Sequence, residues 1–213
     1  MPPLRVVIAD DHPFFRQGLV KLLTRFGIEV VAEAPNGWAA IKAVEETAPD
    51  VVVLDLNMPV LSGVEAIRQL LERAPDSRIL VLSVSADEAD VTDAILAGAG
   101  GYVLKDGPVE DIVAGVRALA AGESLISPRI AAMLLQRIRQ AEWAKGPRPA
   151  APLSRPDVEL LRLVAEGKTD QEIGGALTID PSTVDNHVSA LLTKLHADAD
   201  TQAASRSSRN GSL

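Results

Sequence analysis

Asp10 and Asp11 follow the apolar run at residues 4–9, and Asp55 follows Val51-Val52-Val53-Leu54. Acids placed this way stand at the carboxyl ends of buried strands, where open α/β sheets hold their ligands. Any one of them is read equally well as the first residue of a loop. Brought together on neighbouring strands, however, three carboxylates repel one another, and a bound divalent cation resolves that conflict. Oxygen donors in an open, hydrated site favour magnesium. Lys105, just past Tyr102-Val103-Leu104, adds a positive charge to the same edge, and Ser83, closing the run at 78–83, adds a hydroxyl. Taken singly, these are a solvated lysine and a strand-end turn residue. Metal ligands, a hydroxyl and a cation arriving from four strand ends make a site the better reading.

The elements that must position these groups alternate regularly. Strands are expected over residues 4–9, 28–33, 51–54, 78–83 and 102–104. Between them lies a helical stripe at Phe15, Leu19, Leu22 and Phe26, followed by helices over 36–47, 62–73 and 86–97. Asn36 can cap its helix, and Pro108 opens one carrying Val109, Ile112, Val113, Val116 and Leu119. Five alternations within 121 residues imply an α/β doubly wound five-stranded parallel sheet, flavodoxin-like if its strand order is 2-1-3-4-5. In the strand order 2-1-3-4-5, the first and third strands are neighbours at the topological switch point. That order brings Asp10, Asp11 and Asp55 into one shallow pocket.

Composition narrows the class. Aromatics are only 3% of 213 residues, so the core must be built from Val, Leu, Ile and Ala. With zero cysteines, disulfides and thiolate metal sites are excluded, which fits a cytoplasmic protein. His12, His187 and His196 are too scattered in sequence to suggest a zinc site. No run of about 18 apolar residues indicates a membrane span, and no signal-peptide pattern opens the chain. A net charge of −8 argues against indiscriminate binding to nucleic acid or anionic membrane. Phosphatases that use an aspartate after a parallel strand need a second acid two residues on, and Asn57 stands there. Gly98-Ala99-Gly100-Gly101 does not supply a nucleotide-binding fingerprint and reads as a turn before the fifth strand.

The pattern over residues 4–121 resembles the receiver domain of two-component response regulators. Asp10-Asp11, the Asp55 strand with Met58-Pro59, Ser83, Tyr102 and Lys105 carry the likeness. The resemblance implies that Asp55 is the phosphoacceptor, taking a phosphoryl group from a phosphohistidine on a partner histidine kinase. It implies magnesium on Asp11, Asp55 and the backbone carbonyl of Asn57, with Asp10 acting through water. Lys105 would pair with the phosphoryl oxygens, Ser83 would donate a hydrogen bond to one of them, and Tyr102 would change rotamer as Ser83 moves. That is positioning and charge neutralisation of a transferring group. Phosphorylation-dependent homodimerisation is expected with it.

After residue 125 the composition changes. Residues 126–152 carry five basic residues and one acid, begin with a helix from Ser127-Pro128, and end in a proline-rich linker. The basic residues either keep that linker soluble or touch DNA phosphates. Residues 153–213 contain three helical pieces at 155–166, 170–177 and 181–196, with Asp180-Pro181 opening the third. A compact trihelical unit of this layout suits a helix-turn-helix. Its residues 160–167, Glu172-Ile173, the run Thr183-Val184-Asp185-Asn186-His187-Val188 and Lys194-Leu195 resemble the LuxR-type output domain of the NarL/FixJ regulators. The chain departs from the basic recognition helix of that group at Ser182 and Asp185, and Gly174-Gly175-Ala176 replaces arginines. Thr183, Asn186, Ser189 and Lys194 remain as DNA contacts, in a domain with six basic and nine acidic residues. The serine- and arginine-rich end at 201–213 implies a short or frayed last helix. Two outputs follow: a phosphorylation-switched transcription regulator, or an interaction switch whose acidic helix no longer binds DNA productively.

Overall fold

Val51–Leu54 forms β3, and all four of its side chains are buried, as a central strand covered on both faces requires. The computed structural model describes residues 3–85, 87–143 and 153–210, with the side chains of 88, 139–143 and 198–210 left aside. Around β3 lie β1 (Arg5–Ala9), β2 (Glu29–Ala34), β4 (Arg78–Ser83) and β5 (Gly101–Leu104), all parallel in the order 2-1-3-4-5. The helices between them are α1 (Pro13–Arg25), α2 (Gly37–Thr47), α3 (Gly63–Arg73), α4 (Glu88–Leu96) and α5 (Val109–Ala120). Helices α2, α3 and α4 pack side by side, while α1 and α5 share one apolar cluster with the other face of the sheet. These elements make up the first of two compact units, Met1–Leu125.

The starts of α2, α3 and α4 are fixed by side-chain caps. The Asn36 carboxamide accepts from Ala39 N at 2.9 Å, the Ser62 hydroxyl from Glu65 N, and the Asp87 carboxylate from Ala89 N. Gly63 permits the close entry to α3, since a Cβ there would lie 2.4 Å from Leu56 Cα. Along α1 the apolar stripe falls differently from the sequence expectation. Leu19 and Leu23 are the deeply buried pair, Phe15 and Leu22 pack on the edge of the cluster, and Phe26 caps the helix at the surface. Steps of four keep Leu19 and Leu23 on the sheet side as a straight helix turns.

The second unit, Ile126–Leu213, contains α6 (Pro128–Trp143), α7 (Arg155–Ala165), α8 (Asp170–Leu177), a 3-10 turn at Pro181–Thr183 and α9 (Val184–Asn210). Helix α6 packs against α7, so the helix expected in the linker belongs to this unit. The proline-rich stretch expected at 145–152 lies outside the described residues. Both α7 and α8 open with reciprocal capping boxes, Ser154 with Asp157 and Thr169 with Glu172. One sequence expectation is corrected here: α9 runs past His196 to Asn210 as one helix. Between Val184 and Asn210 there is no Gly or Pro to stop it, and alanines favour its continuation.

Candidate functional site

The sheet places the ends of β1, β3 and β5 along one edge, with β4 between the last two. Asp10 N donates to Ala34 O at 3.0 Å, Asp55 N to Ala9 O at 2.8 Å and Lys105 N to Ser83 O at 2.9 Å, so each residue extends the ladder one step beyond its strand. Their side chains meet. Lys105 Nζ donates to Asp10 Oδ2 at 2.6 Å and to Asp55 Oδ2 at 2.7 Å. Both carboxylates are only 2% exposed. Removing two anions from water is costly unless each is paired and hydrogen-bonded. The second oxygens are also satisfied, Asp10 Oδ1 by His12 N at 2.8 Å and Asp55 Oδ1 by Asn57 N at 3.2 Å.

Asp11 completes the acidic group from the more open side. Its Oδ1 is buried and accepts no hydrogen bond, although His12 Nδ1 stands 2.6 Å away as an ionic neighbour. One donor atom each from Asp10, Asp11, His12 and Asp55 falls within 4.8 Å of the rest, a spacing that can hold a metal ion. The oxygen-rich set and the unsatisfied Asp11 oxygen fit a hard divalent cation. His12 therefore joins the acids, whereas in sequence it was too far from other histidines to count. The signal available was its place directly after Asp-Asp.

Ser83 and Tyr102 are coupled through a residue that the sequence did not single out. Ser85 N donates to Ser83 Oγ at 3.2 Å, and the Tyr102 hydroxyl donates to Ser85 O at 2.7 Å. Tyr102 is thus turned inward and nearly buried. Burial raises its phenol above the ordinary value, the neighbouring Ser83 hydroxyl opposes that, and Asp90, Asp55 and Asp87 add to it. Ser85 Oγ in turn donates to Asp90 at the start of α4. A change at Ser83 consequently reaches both Tyr102 and α4 through one loop residue. On the neighbouring β3–α3 loop, Val60 holds φ at 76°, a left-handed conformation that a β-branched side chain resists.

In the second unit, α8 ends at Thr178 in the left-handed conformation, and Asp180 caps the 3-10 turn that leads into α9. Gly174 allows this tight return, because a Cβ would come within 2.9 Å of Pro181 Cγ and of Ile179 O. Gly175 faces open space instead, so its lack of a side chain leaves the surface of α8 bare. Asn186 is exposed, while Thr183 and Ser189 are half-buried; Thr183 Oγ1 is committed to Asp180 O at 2.7 Å. Lys194 is engaged within the domain, donating to both Asp157 oxygens at 2.8 and 2.9 Å. Burial would raise the Asp157 carboxyl, but Lys194 and Ser154 outweigh it and hold it below the ordinary range. Arg162 pairs with Glu159 and Glu166, and Lys168 with Glu172. Among the described residues of the domain, Arg162, Lys168 and Lys194 are thus each paired with a carboxylate, a feature that charge counting could suggest but not locate.

Comparison with known proteins decides what this arrangement is. Residues 6–117 match the model of the response regulator receiver domain, and residues 151–207 that of the bacterial regulatory proteins of the luxR family. The chain belongs to the LuxR-type response regulators. It is 36% identical to the transcriptional regulatory protein DegU of Brevibacillus brevis over 98% of this chain and 94% of that protein. It is 37% identical to the nitrate/nitrite response regulator protein NarL of Escherichia coli K12, over 95% and 94%. Among solved structures, the receiver domain of a response regulator NarL from Mycobacterium tuberculosis aligns with a TM-score of 0.55 at 36% identity, covering 57% of this chain and 99% of that one. RcsB of Salmonella enterica serovar Typhimurium, solved on promoter rprA with the phosphomimetic BeF3−, aligns at 0.55 and 26% identity, covering 91% and 93%. The response regulator is thus matched over both of its units. Among its described residues no helix is long and apolar enough to cross a membrane.

Proposed function

We propose that this response regulator is a cytoplasmic transcription regulator that takes a phosphoryl group on Asp55 from a partner histidine kinase. The observation that carries the reading is the Lys105 ammonium seated between the Asp10 and Asp55 carboxylates, at the strand ends of a chain that continues into a helix-turn-helix. An Asp55 carboxylate oxygen forms the new bond to phosphorus as the bond from phosphorus to the kinase imidazole nitrogen breaks, and the imidazole leaves with the electron pair. Lys105 is already beside the attacking group and pairs with the incoming phosphoryl oxygens. Ser83 donates its hydroxyl to one of them. Asp11, Asp55 and the Asn57 carbonyl would hold magnesium, with Asp10 assisting, and the ion would supply the remaining charge neutralisation.

Drawing Ser83 toward the phosphoryl group loosens its tie to Ser85 N, and Ser85 also receives Tyr102. The surface formed by α4, β5 and α5 is thereby biased toward one arrangement that favours pairing of two copies. Two helix-turn-helix domains then read adjacent half-sites through Thr183, Asn186 and Ser189, while Lys194 must leave Asp157 to reach a phosphate. Linkage of the two weak readers supplies affinity that neither has alone. The test is intact-mass analysis after incubation with a small acyl phosphate and magnesium. One acid-labile phosphate is expected, absent in Asp55→Asn; equal labelling of that variant removes Asp55 from its role.

A further inference from the structure

We propose that Phe15 is a positioning residue for Lys105, its ring holding the ammonium beside Asp55 where the phosphoryl oxygens arrive. The proposal rests on Asp55 being the phosphoacceptor. Lys105 Nζ lies 4.7 Å from the centroid of the Phe15 ring, within the range at which a ring face attracts a cation. Two of the three ammonium donors are taken by Asp10 and Asp55. The Lys105 side chain is 9% exposed, so little water competes with the ring and the attraction falls toward the upper end of its range.

Phe15 differs from its neighbours on α1. Leu19 and Leu23, one and two turns further on, are almost fully buried, whereas Phe15 is partly buried at the edge of the same cluster. An aliphatic side chain would close that edge as well; only an aromatic one also offers a face to the ammonium. The turn that carries the ring is held by Arg16, which donates from Nη1 to Asp10 O at 2.6 Å and from Nε to Glu33 Oε2 at 3.0 Å. Those bonds fasten the first turn of α1 to the ends of β1 and β2.

Charge competition makes the ring useful. The carboxylates that hold Lys105 are also those that can hold a metal ion, and a divalent cation repels an ammonium over the same few ångströms. Hard cations seek oxygen and ignore a hydrocarbon ring. Phe15 therefore retains Lys105 without competing for the metal, and keeps it in reach of the phosphoryl group once the carboxylates are shared.

The experiment uses the full-length protein with saturating magnesium and reads the apparent affinity for beryllofluoride by calorimetry. Phe15→Leu should weaken binding roughly five- to thirtyfold, and Phe15→Tyr should stay within about twofold of wild type. In a Lys105→Met background, Phe15→Leu should add less than about twofold, because it acts only through Lys105. Without metal, the Lys105 ε-methylene protons should lie upfield in the NMR spectrum under the ring current, a shift kept in Phe15→Tyr. Ordinary shifts for those protons in wild type overturn the contact even where Phe15→Leu does not fold. Unchanged affinity in Phe15→Leu, or an equal loss in the Lys105→Met background, leaves the ring as packing alone. Undiminished beryllofluoride binding by Asp55→Asn overturns the phosphoacceptor reading itself, a result separable from failure of Phe15.

Discussion

Replacing Lys105 by Met removes the charge and keeps most of the side-chain volume. In the structure that ammonium is 2.6 and 2.7 Å from two carboxylates, each only 2% exposed. Breaking a buried pair by removing one partner costs about 3–5 kcal/mol. Here the site opens to solvent on the Asp11 side, where the carboxylate is 30% exposed, so the lower end, about 3 kcal/mol, is expected. Magnesium should reverse the loss, because it would neutralise the same oxygens without sharing them with an ammonium. At a hundred times its Kd a ligand returns about 2.7 kcal/mol. Urea denaturation followed by circular dichroism, with chelator and then with magnesium, measures both quantities. The variant should be markedly less stable with chelator and should gain more from magnesium than wild type does. Equal stability with chelator, or equal gain from magnesium, would refute the view that Lys105 stands in for a cation on these carboxylates.

Tyr102 is the sole tyrosine, so ultraviolet titration reads it directly. Burial raises its pKa above the ordinary 10.0, which predicts ionisation only beyond that pH in the folded protein. With the folded value above the unfolded one, the stability tied to the neutral phenol is complete below pH 10 and is lost as pH rises through the folded value; ionisation at or below the ordinary value would contradict the buried placement. Asp157→Asn should cost about 1 kcal/mol through the weakened α7 cap and should free Lys194, steepening the salt dependence of DNA binding by about 0.9 in log–log slope. Because the Asp157 pKa is lowered, its contribution holds above pH 3.8 and is lost as pH falls through the folded value, which acid unfolding of wild type against the variant can measure. Val60→Gly should stabilise the protein by about 1 kcal/mol in urea by relieving the left-handed backbone at φ 76°, and a loss of stability would show that the valine is not strained.

Much of the first unit was legible because its signals are local. β4 falls on Arg78–Ser83 as expected, and Asn36 caps α2 because a carboxamide there satisfies an orphan amide. The strand order 2-1-3-4-5, the condition for the three acids to meet, is the one found, since four crossovers between five parallel strands leave few alternatives. What was missed depends on loop geometry. Ser85 matters only because the β4–α4 loop turns its amide to Ser83 and its carbonyl to Tyr102. His12 matters only because α1 starts immediately after it and folds its ring back beside Asp11. The commitment of Lys194 to Asp157, 37 residues away, cannot be read from a helical face alone. The end of α9 is hard to read because its serine and arginine content suggests fraying, while the absence of any helix breaker lets the helix run on to Asn210.

Phosphorylation at Asp55 should control DNA binding by the helix-turn-helix. Fluorescence anisotropy of full-length protein on genomic fragments, with and without beryllofluoride and magnesium, tests it most directly. The untreated protein should bind weakly and without regard to sequence, and binding should become selective and tighter when beryllofluoride is present. Asp55→Asn should show no response to the mimic. Selective binding that is unchanged by beryllofluoride, or a response that survives in Asp55→Asn, would contradict it.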